Sequence, residues 1–155
     1  MRVTGLCVLI VESDRAIREL LGELFTLLRQ EATSVSDASS ALNLLEHGRF
    51  DLMLVDYSLA ESAGVTLPSD FLPNDKGLVL ARISRQGDPN LKIIMLAGSA
   101  EDALITAMRN GTVDAIIRKP FSISDVESVL VDLAASEPSS LPSVPRTLTL
   151  WNWME

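Results

Sequence analysis

Three apolar runs in this chain end on residues able to do chemistry. Leu52 to Val55 stops at a carboxylate, Asp56. Leu6 to Val11 stops at Glu12-Ser13-Asp14, and Ala115 to Ile117 stops at Arg118-Lys119-Pro120. A fourth run, Leu91 to Leu96, ends in Ala97-Gly98-Ser99 and brings no charge. Paired acids bind a hard divalent cation, a nearby lysine neutralises charge on a phosphoryl group, and a carboxylate is itself a nucleophile that forms an acyl phosphate. Asp is also a common turn residue. Asp56 alone would not separate a turn from a site; the acids and the lysine at the other run ends do.

That chemistry requires the runs to lie side by side. Each is short and unbroken, as in a strand buried on both faces. Between them the apolar period changes to that of helices. Ile17, Leu20, Leu21, Leu24 and Leu28 form one stripe behind Asp14, which can act as a helix N-cap. Glu31 to Val35 reads as a weaker strand near a sheet edge. Ser36 or Asp37 caps a helix to about Glu46, with Ala38, Ala41, Leu42 and Leu45 inward and Gly48 closing it. Further helices are predicted from Lys76 to Arg85, from Glu101 to Asn110 with Gly111 at its end, and from a Ser122 or Ser124 cap to Ala135 on Ile123, Val126, Leu130 and Leu133. Five β-α units in strict alternation imply an α/β fold, a parallel sheet with helices on both faces. In such sheets ligands bind beyond the carboxyl ends of the strands, where the acids and the lysine fall.

Composition narrows the partners. Lys and Arg number 13 against 21 Asp and Glu, a formal charge of −8, with no basic cluster to follow a phosphate backbone. Nucleic acid is therefore not an expected partner. One Cys and one His exclude a disulfide framework and argue against zinc, leaving oxygen ligands and a cation such as Mg²⁺. Cys7 reads as a small buried hydrophobe and His47 as a helix-end cation. No signal peptide and no apolar run near 18 residues is present, so the expectation is a cytoplasmic protein without a membrane segment. A nucleotide-binding enzyme would want a Gly-rich turn after the first strand; this chain has Glu-Ser-Asp-Arg there.

From about residue 5 to 136 the sequence resembles the receiver domain of two-component response regulators. The stretches that carry the resemblance are CVLIVESDRAIRELL, FDLMLVDYSL, IIMLAGSA and AMRNGTVDAIIRKPF, in that order. It implies a flavodoxin-like (βα)5 doubly wound sheet, strand order 2-1-3-4-5. It also implies Asp56 as phosphoacceptor, Lys119 as the phosphate-contacting lysine, and Glu12 as the first acid of a metal-binding pair. The backbone of Ser58 would complete a Mg²⁺ site, joined weakly by Ser13 or Asp14. The Lys119-Pro120 bond is expected to be cis. The implied partners are a histidine kinase or phosphotransfer protein upstream and a downstream protein, and no enzymatic role beyond autocatalytic phosphoryl transfer to and from Asp56.

The departures from the family pattern sit beside the matches. Ser13 occupies the position of the second acid, and Ala97 that of the hydroxyl residue which senses the phosphoryl group; Ser99 is a weaker candidate for that hydroxyl. Ile116 replaces the aromatic switch residue and Ala60 the usual proline. An insertion within residues 57–75 separates Asp56 from Gly77. The reading is a stand-alone, atypical receiver (residues 1–136) with a weakened metal site and switch; the alternative is a pseudo-receiver interaction module working without phosphorylation. Residues 137–155 form a Pro/Ser linker and an apolar tail, Leu148, Leu150, Trp151, Trp153 and Met154, expected to pack on a groove of its own domain or of a second copy in a homodimer. The 57–75 insertion is expected to border the Asp56 pocket.

Overall fold

The computed structural model describes residues 5–59, 76–99 and 101–135. The tail and all but the first residues of the insertion lie outside them. The elements alternate without exception: β1 (Cys7–Val11), α1 (Arg15–Leu27), β2 (Glu31–Val35), α2 (Ala38–His47), β3 (Leu52–Asp56), α3 (Lys76–Gly87), β4 (Lys92–Ala97), α4 (Asp102–Arg109), β5 (Ala115–Arg118) and α5 (Ile123–Ala135). The strands form one parallel sheet in the order β2-β1-β3-β4-β5. This is the flavodoxin-like arrangement implied by the resemblance. The order reverses direction between β1 and β3, so the ends of these two strands flank the crevice where such sheets bind ligands.

The unbroken apolar runs are explained by the two faces they serve. Leu9, Val11, Met53, Val55, Ile93, Met95 and Ile116 point to the layer of α2, α3 and α4. The alternate residues Val8, Ile10, Leu52, Leu54, Ile94, Leu96 and Ile117 point to α1 and α5. A strand buried on both sides must be apolar at every position, and each fully buried Leu or Ile contributes about 1.5–3 kcal/mol. β2 has helices on its flank but no second strand partner, and four of its five residues are exposed. Its weak pattern is that of an edge.

The helix ends follow their sequence signals. Asp14 caps α1 by accepting from the Ile17 N–H at 3.1 Å, and Asp37, rather than Ser36, caps α2 by accepting from Ser40 N–H at 2.8 Å. Ser122 and Asp125 exchange hydrogen bonds at the start of α5, so the cap is Ser122 and not Ser124. Gly48 ends α2 with its N–H on the Leu44 carbonyl, in extended rather than left-handed backbone. α1 closes through a left-handed residue, Arg29 (φ 63°), with Gln30 N–H on Phe25 O and Arg29 N–H on Thr26 O. That is the double hydrogen bond usually built on glycine.

Three sequence expectations need correction. Leu20 is half exposed; the inward stripe of α1 is Leu21, Leu24, Phe25 and Leu28, rotated so that Phe25 takes the place given to Leu20. Ile123 is exposed too, because it opens α5 on the turn that faces solvent. Cys7 is only partly buried: it starts β1 at the open end of the sheet, where its Sγ lies 3.6 Å from Glu31 Oε2.

Candidate functional site

The apolar strands deliver their terminal charges to one place. Lys119, one residue beyond β5, places Nζ 3.0 Å from Glu12 Oε1 and 3.0 Å from Asp56 Oδ1. One ammonium thus bridges two carboxylates brought together from β1 and β3. Glu12 is 1% exposed and Asp56 6%, whereas the lysine side chain keeps 24% of its surface in water. The pocket is a lid of positive charge over two acids at the crevice of the sheet.

Each member is held by backbone as well as by charge. Lys119 N–H donates to the carbonyl of Ala97, the last residue of β4, at 2.9 Å. The peptide bond from Lys119 to Pro120 is cis. Glu12 accepts from the Asp14 N–H at 3.2 Å through its second oxygen, and Asp56 accepts from the Ser58 N–H at 3.3 Å. Burial is the main influence on Glu12, followed by the neighbouring carboxylate of Asp56; together they push its carboxyl above the usual Glu value, against Lys119 and the Asp14 N–H. Burial alone would lower the Lys119 ammonium, but the hydrogen bonds and charges of Asp56 and Glu12 outweigh it and its pKa is raised.

The remaining sequence candidates do not converge on the same point. Ser13 turns its hydroxyl to the Ser36 carbonyl, 3.3 Å away at the end of β2. Asp14 spends Oδ1 on capping α1. Ala97 is buried at the rim of β4, while Ser99 is exposed and donates to Glu101 Oε1 at 3.0 Å. Ser99 therefore serves the start of α4 and offers Ala97 no substitute hydroxyl. Ile116 is packed in the core layer under α4. His47 lies at the end of α2, its ring Nδ1 2.8 Å from the Asn43 carbonyl.

Two positioning residues were not singled out from sequence. Arg18 donates through Nη1 to the carbonyls of Glu12 (2.9 Å) and Ser13 (3.3 Å), pinning the turn that carries the first acid. Gly77 lies so close to β3 that a Cβ there would sit 2.2 Å from the Asp56 carbonyl oxygen and 2.9 Å from Tyr57 Cα. The signal for it was available: a lone glycine at the point where the chain resumes a helix after the acceptor loop.

The donor set can be tested against a cation. The described residues hold no group of three or more His, Cys, Asp or Glu side chains placed to hold a metal ion. Mg²⁺, however, keeps several of its waters and takes only one or two carboxylates plus phosphate oxygens. Glu12 and Asp56 supply two, so the site fits Mg²⁺ with few protein ligands.

Over residues 8–131 the chain matches the response regulator receiver domain family. It belongs to that family. The response regulator protein FleR of Pseudomonas aeruginosa is 32% identical over 129 residues, a match covering 83% of this chain and 24% of that protein. The transcription factor SKN7 of Candida albicans is 30% identical over 124 residues, covering 79% of this chain and 20% of its own. The receiver thus spans only a fifth to a quarter of the length of these curated relatives. A CheY-like receiver domain protein from Methanospirillum hungatei superposes with a TM-score of 0.69 at 22% identity, over 86% of this chain and all of that one. The BeF3-activated DrrB receiver domain gives 0.65 at 16% identity, over 85% of this chain and 99% of its own. These two likenesses concern the fold. Receiver domains are signalling modules rather than enzymes with turnover, they generally bind Mg²⁺ for phosphorylation, and they typically interact with histidine kinases or phosphotransfer proteins. Among the described residues no helix is long and apolar enough to cross a membrane.

Proposed function

We propose that this receiver accepts a phosphoryl group on Asp56 from the phosphohistidine of a histidine kinase or phosphotransfer protein, and passes on its state through protein contacts. The observation that supports the reading is the Lys119 bridge: Nζ lies 3.0 Å from a carboxylate oxygen of Asp56 and 3.0 Å from one of Glu12, at one strand-end crevice. An oxygen of the Asp56 carboxylate attacks phosphorus. The new P–O bond forms as the P–N bond breaks, and the electron pair leaves on the imidazole nitrogen of a ring already protonated on its other nitrogen, giving an acyl phosphate and a neutral histidine. The Lys119 ammonium follows the transferred group by exchanging one carboxylate contact for a phosphoryl oxygen. Glu12, Asp56 and the Ser58 carbonyl would hold Mg²⁺, which when bound supplies the remaining neutralisation of phosphoryl charge.

The same reading includes a weakened metal site and a muted switch. Ser13 brings no carboxylate, and buried Ala97 has no hydroxyl to meet a phosphoryl oxygen. A net charge of −8 supports a protein partner rather than nucleic acid as the recipient of the signal. These losses also favour a second reading, a pseudo-receiver that binds its partners without phosphorylation. Incubation with acetyl phosphate and saturating Mg²⁺, read by intact mass, separates the two. Wild type should gain one phosphoryl group and Asp56→Asn none. A wild type that stays unmodified with small donors and with phosphotransfer proteins would leave only the second reading.

A further inference from the structure

Away from the Asp56 crevice, an apolar groove of about 280 Å³ lies between the end of α1 and the middle of α5. Leu27 and Leu28 of the α1 end and Leu130 and Val131 of α5 line it, together with Arg29, Gln30 and Glu127. Leu27 is 73% exposed and Val131 49%. A Leu this open, next to a second open apolar residue on the facing helix, has no packing reason within the domain. The groove is smaller than most small-molecule pockets, which run about 300–1,000 Å³.

We propose that this groove receives the chain's own C-terminal segment, Leu148 to Met154, with Trp151 and Trp153 as the anchoring side chains. The segment has the chemistry the walls ask for. Aromatic residues supply the largest apolar area per side chain, and Trp is prominent among interface anchors. It is also tethered at the right place. α5 ends at Ala135, so Val131 lies only about 6 Å back along the same helix. The dozen or so residues between Ala135 and Leu148 can span up to about 40 Å, several times the distance required. Pro138, Pro142 and Pro145 disfavour a continuation of α5, which would carry the tail away from the groove. A short tether sets an effective concentration in the millimolar range, so the chain's own tail outcompetes a second copy at micromolar protein. The proposal is independent of the chemistry at Asp56.

The protein carries its own probe, because Trp151 and Trp153 are its two tryptophans. In the native protein, indole emission should be blue-shifted and poorly quenched by acrylamide. Val131→Glu and Leu27→Lys should each shift the emission to the red and raise quenching towards the value in denaturant. Both sites are exposed, so substitution there costs little stability, within about 0.5 kcal/mol, and circular dichroism would confirm the fold. Solvent-like emission in the native wild type, or unchanged emission in both variants, overturns the proposal. A blue shift that disappears on dilution also overturns it, by assigning the groove to the tail of a second copy.

Discussion

Gly77→Ala is the smallest change that should disturb the acceptor strand, and its size can be worked from the backbone. The added Cβ would lie 2.2 Å from the Asp56 carbonyl oxygen, 2.9 Å from Tyr57 Cα and 3.0 Å from the Asp56 carbonyl carbon. Ordinary contact begins near 3.4 Å, so strand and helix must part by about 1 Å. All three obstructing atoms are backbone, and none can rotate away. Overpacking of this kind costs about 1–3 kcal/mol. Alanine returns something, since glycine inside a helix is worse by up to about 1 kcal/mol, though less at the second residue of α3. The net loss is about 1–2 kcal/mol, or roughly 3–8 °C in melting temperature for a domain of this size.

The control is built into the same molecule. Gly22 lies within α1 and a Cβ there meets nothing within 4 Å. Gly22→Ala should gain about 0.5–1 kcal/mol. Thermal denaturation followed by circular dichroism compares the pair, and acetyl phosphate labelling then tests whether parting α3 from β3 also slows modification of Asp56. A Gly77→Ala protein as stable as Gly22→Ala would refute the reasoning, because it would show that the close approach is not tight in solution.

Four further outcomes follow from the same contacts. Ser13→Asp should tighten Mg²⁺ binding by about tenfold, the worth of one charge-assisted contact, while Asp56→Asn should weaken it; calorimetric titration decides. Beryllofluoride should leave the amides of Gly98 and Ser99 nearly unmoved in an NMR titration, because Ala97 cannot supply the hydrogen bond, worth roughly 1.5–3 kcal/mol, that would bias the loop. Arg85 donates to buried Asp114 and to the carbonyls of Pro89 and Leu91, so Arg85→Met removes the cation from a buried carboxylate that keeps the Ile93 N–H and should cost about 3 kcal/mol in urea denaturation. Asp37→Ala should cost about 1 kcal/mol as a lost cap. The Asp37 carboxyl is lowered chiefly by the Ser40 N–H, so its contribution is present above the ordinary Asp value and is lost as pH falls through the lower folded value; the variant should lack that loss.

The features legible in sequence were those with a local cause. Runs such as Leu52–Val55 announced central strands because both faces are covered, and Asp14, Asp37 and Ser122 announced helix starts because a cap bonds only a few residues away. Charges at strand ends could be gathered because parallel strands share one C-terminal rim. What escaped depended on distance in space. Nothing near Leu20 in the chain says that Phe25 takes its inward position. A lone glycine where the chain resumes a helix hinted at a close approach, but nothing near Gly77 names the Asp56 carbonyl as the backbone it meets. Cys7 looked buried because its neighbours are apolar, yet it begins its strand and shares a sheet end with Glu31.

The resting site is held together by a group that would also have to let go. Glu12 has its folded pKa raised, so the stability tied to its titration is whole below the ordinary Glu value and is lost as pH rises through the higher folded one. Ionising this buried carboxyl therefore costs the fold stability. Lys119 has its pKa raised by the same two acids, and its contribution is whole below the ordinary lysine value and lost only above it. The ammonium thus compensates the acids throughout the physiological range. On the proposed function, a divalent cation and a phosphoryl group would have to compete with it for the same two carboxylates. With a carboxylate missing at Ser13, fewer protein charges are available to draw a cation past that lysine. On the proposed function, the balance between the Lys119 bridge and a bound Mg²⁺ would set how readily Asp56 acts as a nucleophile. On the same reading, the absent hydroxyl at Ala97 would separately limit how far phosphorylation is felt. The two departures act on different steps, so repairing Ser13 should restore chemistry without restoring the switch.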